Sequence, residues 1–159
     1  MSESYEPASD FLKMVAAEEA PLSGSFLAEE NLQRLIAMTR DADLSNRDWA
    51  TMLLAQEEID TVEVRAALLN AVEDQDEVVR AEALLGLARR DTALALPFAL
   101  KALAAPSACV AVFEAAELIA DPCLIDHLRP WTLPSGNDWL DQSARNALAA
   151  CKGEAGHNR

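Results

Sequence analysis

The stretch that decides the fold is Asp76-Glu-Val-Val-Arg80-Ala-Glu-Ala83-Leu-Leu-Gly86-Leu-Ala-Arg-Arg-Asp91. Asp76 stands just before a helix-forming run and can accept hydrogen bonds from the free backbone N–H groups of a first helical turn. The apolar residues Val79, Ala83, Leu84 and Leu87 recur at i, i+4, i+5 and i+8, which places them on one stripe of a helix. The stretch therefore predicts an amphipathic helix that packs through this stripe.

Similar segments fill most of the chain. Apolar residues make up 51% of the sequence and aromatic residues only 5%, with Ala and Leu dominant, and these two residues lead the helix propensities. Short breaks rich in Asp, Ser, Thr and Pro, which cap and start helices, separate the segments. The breaks are 41–44, 58–61, 73–76, 90–92, 105–107 and 121–122. An all-α protein made of a row of helical hairpins is predicted.

An internal repeat underlies these hairpins. The triplet Asp-x3-Arg-x2-Ala occurs twice, and once more with Leu in place of Ala; its members are Asp43, Arg47 and Ala50, then Asp76, Arg80 and Ala83, then Asp141, Arg145 and Leu148. The slot between the last two triplets holds Ala108, Val112 and Ala115. Successive offsets of 33, 32 and 33 predict four repeats.

The recurring Asp and Arg also suggest a structural role. An arginine one turn into a helix presents a rigid fork of donors, which could bind the turn carboxylate of the adjacent repeat. The alternative is that each Asp caps its helix and each Arg only extends along the surface. The predicted ladder between layers consists of Asp43, Arg47, Asp76, Arg80, Asp141 and Arg145.

The second repeat resembles a HEAT repeat of the short type found in phycobilisome lyases. The residues that carry the resemblance are those of the stretch 76–91 followed by Ala93-Leu-Ala-Leu-Pro97-Phe-Ala-Leu-Lys-Ala-Leu103. It covers about residues 27–151, and it is weakest in the third repeat, where Ala108 and Val112 replace the Asp and the Arg. The resemblance implies an α-α solenoid, or superhelix, of about four HEAT-like hairpins. A role in attaching bilin chromophores is an alternative function that it implies.

The domain organisation follows from the same pattern. Residues 1–24 are predicted to form an N-terminal helix, Phe11–Ala20, with a linker ending at Gly24; residues 25–151 form the repeat domain, and 152–159 a disordered tail. The N-terminus carries acidic residues where a secretory signal needs basic ones. The longest uncharged stretch near the middle, 102–113, is far shorter than the ~20 residues of a membrane span. A cytoplasmic protein is expected.

The charge of the chain narrows the class of partner. A formal net charge of -14 and a pI near 4.4 repel polyanions, and no cluster of basic residues is larger than Arg89-Arg90. We therefore expect the protein to bind neither nucleic acid nor anionic membranes. The acidity is either a solvated surface or a docking face for a basic partner.

Candidate catalytic and metal-binding groups are few. Cys123, His127, Cys151 and His157 have the ligand types of a zinc site, but the C-x2-C spacing is absent, and they are read as core thiols and a surface histidine. Cys123, Asp126 and His127 contain the residue types of a nucleophile relay, yet Asp126 and His127 are consecutive and point apart on a helix. We predict that the chain is not an enzyme and has no cofactor or metal.

The predicted function is therefore protein binding, as an adaptor module that holds a partner in the inner groove of the solenoid. The groove positions follow from the repeat and mix apolar anchors with carboxylates: Trp49, Met52, Glu82, Leu85, Phe113, Glu114 and Glu117. The expected partner has a basic or amphipathic segment, and an inhibitor or immunity protein that covers a basic partner is a further alternative. Two other occupants of the groove remain open: the N-terminal helix around Phe11, Leu12 and Val15, folded back, or a second subunit.

Overall fold

The computed structural model describes residues 5–154, and within that range the chain consists of helices and turns without a β-strand. Two short 3-10 turns, Pro122–Leu124 and Arg129–Thr132, flank the shortest helix. The helices are α1 Asp10–Ala16, α2 Phe26–Met38, α3 Leu44–Gln56, α4 Val62–Ala71, α5 Glu77–Arg90, α6 Thr92–Leu103, α7 Val110–Ile119, α8 Ile125–Leu128 and α9 Asp138–Cys151. No helix in this range is long and apolar enough to cross a membrane.

Most of the helices begin where short polar side chains satisfy their first backbone donors; α7 and α8 have no such side-chain cap. Asp43 accepts from the N–H of Asn46 at 3.2 Å, and Asp76 accepts from the N–H groups of Val78 and Val79 at 2.9 and 3.1 Å. Ser25, Thr61, Asp91 and Asn137 cap α2, α4, α6 and α9 in the same way. The predicted breaks between helices are rich in these residue types because each break also starts the next helix.

The chain divides into two compact units, and the boundary falls between Ala83 and Leu84. In the first unit, α3 packs against α1, α2 and α4, and α2 also touches α4. Its core is aliphatic; the fully buried side chains include Leu12, Leu35, Leu54, Val64 and Leu68. The predicted N-terminal helix is therefore packed on the first hairpin through α3.

In the second unit, α7 is the central helix and packs against α6 and α9. The segment from Pro122 to Thr132 lies against α9, and its residues Leu124 and Leu128 are fully buried. Trp131 donates its indole N–H to the carbonyl of Leu103 at 3.1 Å. The ring of Trp131 meets Phe113 edge to face, with centroids 5.7 Å apart. This aromatic pair is part of the core of the unit.

The caps define the repeat more accurately than the triplet does. The residues that precede α3, α5, α7 and α9 are Asp43, Asp76, Cys109 and Asn137, spaced by 33, 33 and 28 residues. The offsets of 32 and 33 predicted after the second repeat are therefore wrong. The fourth repeat is shorter, because its second helix begins at Asp138, three residues before Asp141, rather than just after Asp141.

Two other boundaries differ from prediction. Helix α1 ends at Ala16 instead of Ala20, and Glu18 then adopts the left-handed conformation with φ +58°. The segment 129–137, in which the 3-10 turn Arg129–Thr132 is followed by irregular residues, precedes α9 and was not among the predicted breaks. Of the predicted tail 152–159, residues 155–159 lie outside the described part of the chain.

Candidate protein-binding site

The first hairpin presents a half-buried indole on α3. Asp48, Trp49 and Met52 are each partly exposed on one side of this helix. The indole nitrogen of Trp49 is buried, and no described residue accepts a hydrogen bond from it. A buried donor without a partner costs free energy, because it has lost its bond to water. We call Asp48, Trp49 and Met52 the Trp49 face.

The carboxylate of Asp48 is the charged group of this face. Burial raises the pKa of Asp48, a hydrogen bond from Tyr5 lowers it, and the charge of Asp76 raises it further. Burial also raises the pKa of Tyr5, and the hydrogen bond to Asp48 together with the charges of Asp48, Asp76 and Asp43 brings it to about 12. Within residues 5–154, no cationic side chain lies at ion-pair distance from Asp48. The face is therefore acidic and incompletely neutralised.

The segment Tyr5–Ser9, which we call the strap, lies on the Trp49 face. The ring of Tyr5 stacks on Trp49 with centroids 6.3 Å apart and an angle of 25° between the planes. The N–H of Ala8 donates to the hydroxyl of Ser45 at 3.2 Å, and the N–H of Ser9 donates to the amide oxygen of Asn46 at 2.8 Å. Part of the predicted groove is thus occupied by the chain itself, although by the strap rather than by α1.

Helix α1 anchors the strap from its other end. Phe11, Leu12 and Val15 are buried, and the guanidinium of Arg34 on α2 lies 4.3 Å from the centre of the Phe11 ring. These residues were predicted as an alternative cover of the groove. They pack α1 against the first hairpin instead. Because the strap directly precedes α1, the position of α1 fixes where the strap lies.

Two of the predicted partner-binding residues belong to the core. Leu85 is 5% exposed and Phe113 is fully buried, so neither can anchor a partner on the folded protein. The predicted groove position of Phe113 depends on aligning Ala108 with Asp43 and Asp76. The residue that precedes α7 is Cys109, so the third repeat is aligned one residue later. With the caps aligned, Glu114 is the residue that corresponds to Asp48. The other predicted residues stay accessible: Trp49, Met52, Glu82 and Glu117 are half-buried and Glu114 is exposed.

The predicted ladder exists between the first two repeats, but with a different carboxylate. Arg47 donates through Nε and Nη2 to the two oxygens of Asp74, at 3.0 and 3.3 Å, while Asp76 caps α5. Arg80 donates to the carbonyls of Asp74 and Gln75, both at 2.9 Å. Sequence reasoning missed Asp74, although Asp41 precedes it by 33 residues and accepts the N–H of Asp43 just as Asp74 accepts that of Asp76.

The fourth repeat does not continue the ladder. Asp141 is buried inside α9 and accepts hydrogen bonds from the backbone N–H and the hydroxyl of Ser135, which lower its pKa. Arg145 is exposed and donates to Gln142 on its own helix, at 3.1 Å. The predicted roles of Asp141 as a cap and of Arg145 as a rung are wrong, because α9 begins at Asp138.

The fourth position of the second helix in each repeat has different roles in different repeats. The fourth residues of α3, α5, α7 and α9 are Arg47, Arg80, Phe113 and Asp141. Three of them bind the backbone six residues earlier: Arg47 and Arg80 donate to the carbonyls of Asp41 and Asp74, and Asp141 accepts the N–H of Ser135. The fourth, Phe113, packs on Trp131 instead.

The residues considered for chemistry differ in their exposure. Cys123 is exposed, contrary to the core position predicted for it, whereas Cys151 is buried. A hydrogen bond to the carboxylate of Asp121 raises the pKa of Cys123, which disfavours the thiolate that a nucleophile needs. His127 is exposed, and its Nδ1 lies 3.3 Å from the carbonyl oxygen of Cys123. Among residues 5–154, no three His, Cys, Asp or Glu side chains are grouped so as to hold a metal ion; His157 lies outside this range.

These features define a class of protein, an all-α repeat protein made of helical hairpins with an added N-terminal helix. No family model matches the sequence, and no curated protein matches it. A solved X-ray structure, that of YibA from Escherichia coli, is similar to it with a TM-score of 0.59 and 20% sequence identity. The likeness covers 87% of this chain and 54% of YibA, so the chain spans about half the length of that protein. The predicted fold class, an all-α solenoid, is confirmed.

Proposed function

We propose that this chain is a non-catalytic protein-binding module built of HEAT-like repeats, and that the Trp49 face is its binding site. The partner is a protein with a basic segment. The single observation that carries the proposal is the combination, on α3, of a half-buried indole with an unused N–H donor and a half-buried carboxylate without a cationic partner in the described chain.

This combination suits protein recognition for physical reasons. Tryptophan contributes a large apolar area together with one directional donor, and it is enriched among the residues that dominate binding energy. A carboxylate that has lost part of its hydration gains more from an arriving cation than a fully solvated one, since the effective dielectric constant around it is lower. The net charge of -14 would also speed the encounter with a basic partner.

The acidity also supports the narrower form of this proposal, an inhibitor or immunity protein that covers a basic protein. Both forms need the same contact between a cationic segment and Asp48. They differ in what binding does to the partner, because an inhibitor lowers the partner's activity whereas an adaptor leaves it unchanged.

The proposal is tested by site-specific photo-crosslinking in the native host. A photoreactive residue at Met52 should capture a partner, and the same residue at Val62, 82% exposed at the start of α4, serves as the control. The captured protein is then purified, and its affinity for the unmodified chain is measured by calorimetry.

Two substitutions decide whether the Trp49 face binds that partner. Asp48→Asn removes the charge with little change of shape, and Trp49→Ala removes the indole; each should weaken binding by at least about ten-fold. Trp139→Ala, at a tryptophan that is 73% exposed on α9, is the matched control and should leave the affinity unchanged. If Asp48→Asn and Trp49→Ala both retain the helical circular dichroism spectrum and the full affinity, the proposed site is wrong.

A further inference from the structure

The strap is a ligand-like segment that the chain carries for its own binding face. We propose that the strap, Tyr5–Ser9, closes the Trp49 face, and that a partner binds by displacing it with an extended segment that has a cationic side chain in the place of Tyr5. This inference rests on the proposed function and adds its regulation.

The strap is held in a way that another extended segment could reproduce. Its two directional bonds to α3 come from the main-chain N–H groups of Ala8 and Ser9, which any residue except proline could supply. When an extended segment binds through its main chain, specificity comes from side chains that occupy separate pockets along the segment. In the strap that role falls to Pro7, which is buried, and to Tyr5, whose ring stacks on Trp49.

Tyr5 fits its position only in part. The residue remains 57% exposed although it stacks on Trp49, and its neutral hydroxyl faces Asp48, with the charges of Asp76 and Asp43 acting on the same group. A cation placed there would be attracted by the charges of all three carboxylates. The tyrosine hydroxyl is neutral and lacks this attraction. The strap also leaves the indole N–H of Trp49 without an acceptor, and the carbonyl of a different segment could accept this bond.

The strap also carries an acidic residue beside this acidic face. Glu6 is exposed, and the nearest cation to it is Lys13 of α1, at 3.9 Å. Exposed pairs of this kind contribute little. The strap is therefore held by the buried side chain of Pro7, by the contacts of Tyr5 with Trp49 and Asp48, and by the two main-chain hydrogen bonds. A segment that keeps the proline and the main-chain bonds but has a cation in place of Tyr5 can compete with it.

The experiment uses the full chain and a blocked synthetic peptide with the sequence of residues 5–9 carrying Tyr5→Arg and Glu6→Ala. The peptide has one positive charge and no aromatic group, while Tyr5 is the only tyrosine of the protein. With ring-labelled tyrosine, the magnetic resonance signal of Tyr5 therefore reports the strap alone at neutral pH. Stacking on Trp49 should shift this signal upfield, and saturating peptide should return it to the position of a free tyrosine.

Binding is measured in parallel by calorimetry on three proteins. The chain with Tyr5→Ala should bind the peptide about ten-fold more tightly than the unmodified chain, since a strap closed in about nine molecules of ten lowers the apparent affinity by that factor. The chain with Trp49→Ala should not bind it. Trp139→Ala is again the control and should bind like the unmodified chain.

Other outcomes separate this inference from the proposed function. If the peptide binds the unmodified and the Tyr5→Ala chains equally, or leaves the Tyr5 signal in place, the strap does not close the face and the inference is wrong. The proposed function would still stand if the captured partner needs Asp48 and Trp49. If the peptide fails to bind the Tyr5→Ala chain, the inference is also overturned, because the opened face does not accept a cationic extended segment.

Discussion

Arg47 on α3 and Asp74 in the turn before α5 form a bidentate ion pair, with Nε–Oδ2 and Nη2–Oδ1 distances of 3.0 and 3.3 Å. Both side chains are largely shielded from solvent, at 19% and 12% exposure. The planar guanidinium matches the two carboxylate oxygens, and such paired, charge-assisted bonds are stronger than neutral ones. This contact joins the first repeat to the second in the way that the repeating triplet suggests, through a carboxylate two residues before the expected one.

Removing this arginine should destabilise the protein. We expect Arg47→Ala to lower the free energy of unfolding by about 1 to 3 kcal/mol, because it leaves Asp74 shielded from water without its cation. Arg145→Ala, which removes an exposed arginine bound only to Gln142, should change it by less than about 0.5 kcal/mol. Urea denaturation followed by circular dichroism measures both, and equal losses would show that the ion pair does not stabilise the junction.

The burial of Phe113 predicts a larger effect in the second unit. Phe113→Ala should cost about 3 to 5 kcal/mol, since it leaves a cavity beside Trp131 in the core. Trp139→Ala removes a larger but exposed side chain and should cost less than about 0.5 kcal/mol. The thermal midpoints of the two variants give the comparison. A mild effect of Phe113→Ala would instead favour the surface position first predicted for this residue.

Tyr5 should titrate at unusually high pH. Its pKa is raised to about 12 by burial first and then by the hydrogen bond and charge of Asp48. A raised pKa in the folded state means that the contact contributes fully below the ordinary pKa of tyrosine and is lost as the pH rises through the folded value. The ultraviolet absorbance of tyrosinate measures this titration.

The charge of Asp48 can be tested by the same titration. Asp48→Asn should move the tyrosine pKa back toward 10, the value of an unperturbed tyrosine, and Glu114→Gln on α7 should leave it where it was. Circular dichroism recorded at each pH ensures that the folded protein is observed. An ordinary tyrosine pKa in the unmodified chain would contradict the described position of the strap.

The end of α7 offers a stabilising substitution. Ala120 ends this helix in the left-handed conformation, with φ +50°, and its N–H donates to the carbonyl of Ala116. A residue with a Cβ is strained there by roughly 1 to 2 kcal/mol, whereas glycine is not. We expect Ala120→Gly to raise the free energy of unfolding by about 1 kcal/mol despite the greater freedom of glycine in the unfolded chain.

Ala104 provides the matched control for that substitution. It ends α6 in the right-handed region, with φ -83°, where glycine relieves no strain. Ala104→Gly should therefore leave stability unchanged or lower it by up to about 1 kcal/mol. If both substitutions destabilise the protein equally, the left-handed conformation of Ala120 is not a source of strain.

The sequence by itself determined the helices and the first part of the repeat. Apolar stripes and short polar caps are local features, so the helix starts after Asp43 and Asp76 and the 33-residue spacing between them could be predicted. The same local signal failed at α9, since Asp141 stands four residues inside its helix and only resembles a cap in spacing. The residue types of the triplet do not show where the turn before the helix ends.

Only the tertiary structure decided which of these side chains meet. Phe113 is buried because it packs against Trp131, which lies 18 residues further along the chain. The apolar periodicity of α7 does not predict this contact. The strap lies on the Trp49 face because the buried residues of α1 fix the direction from which residues 5–9 approach α3. Contacts between segments that are distant in sequence depend on the packing angles of whole helices, which arise from the sum of many weak interactions rather than from any one local pattern.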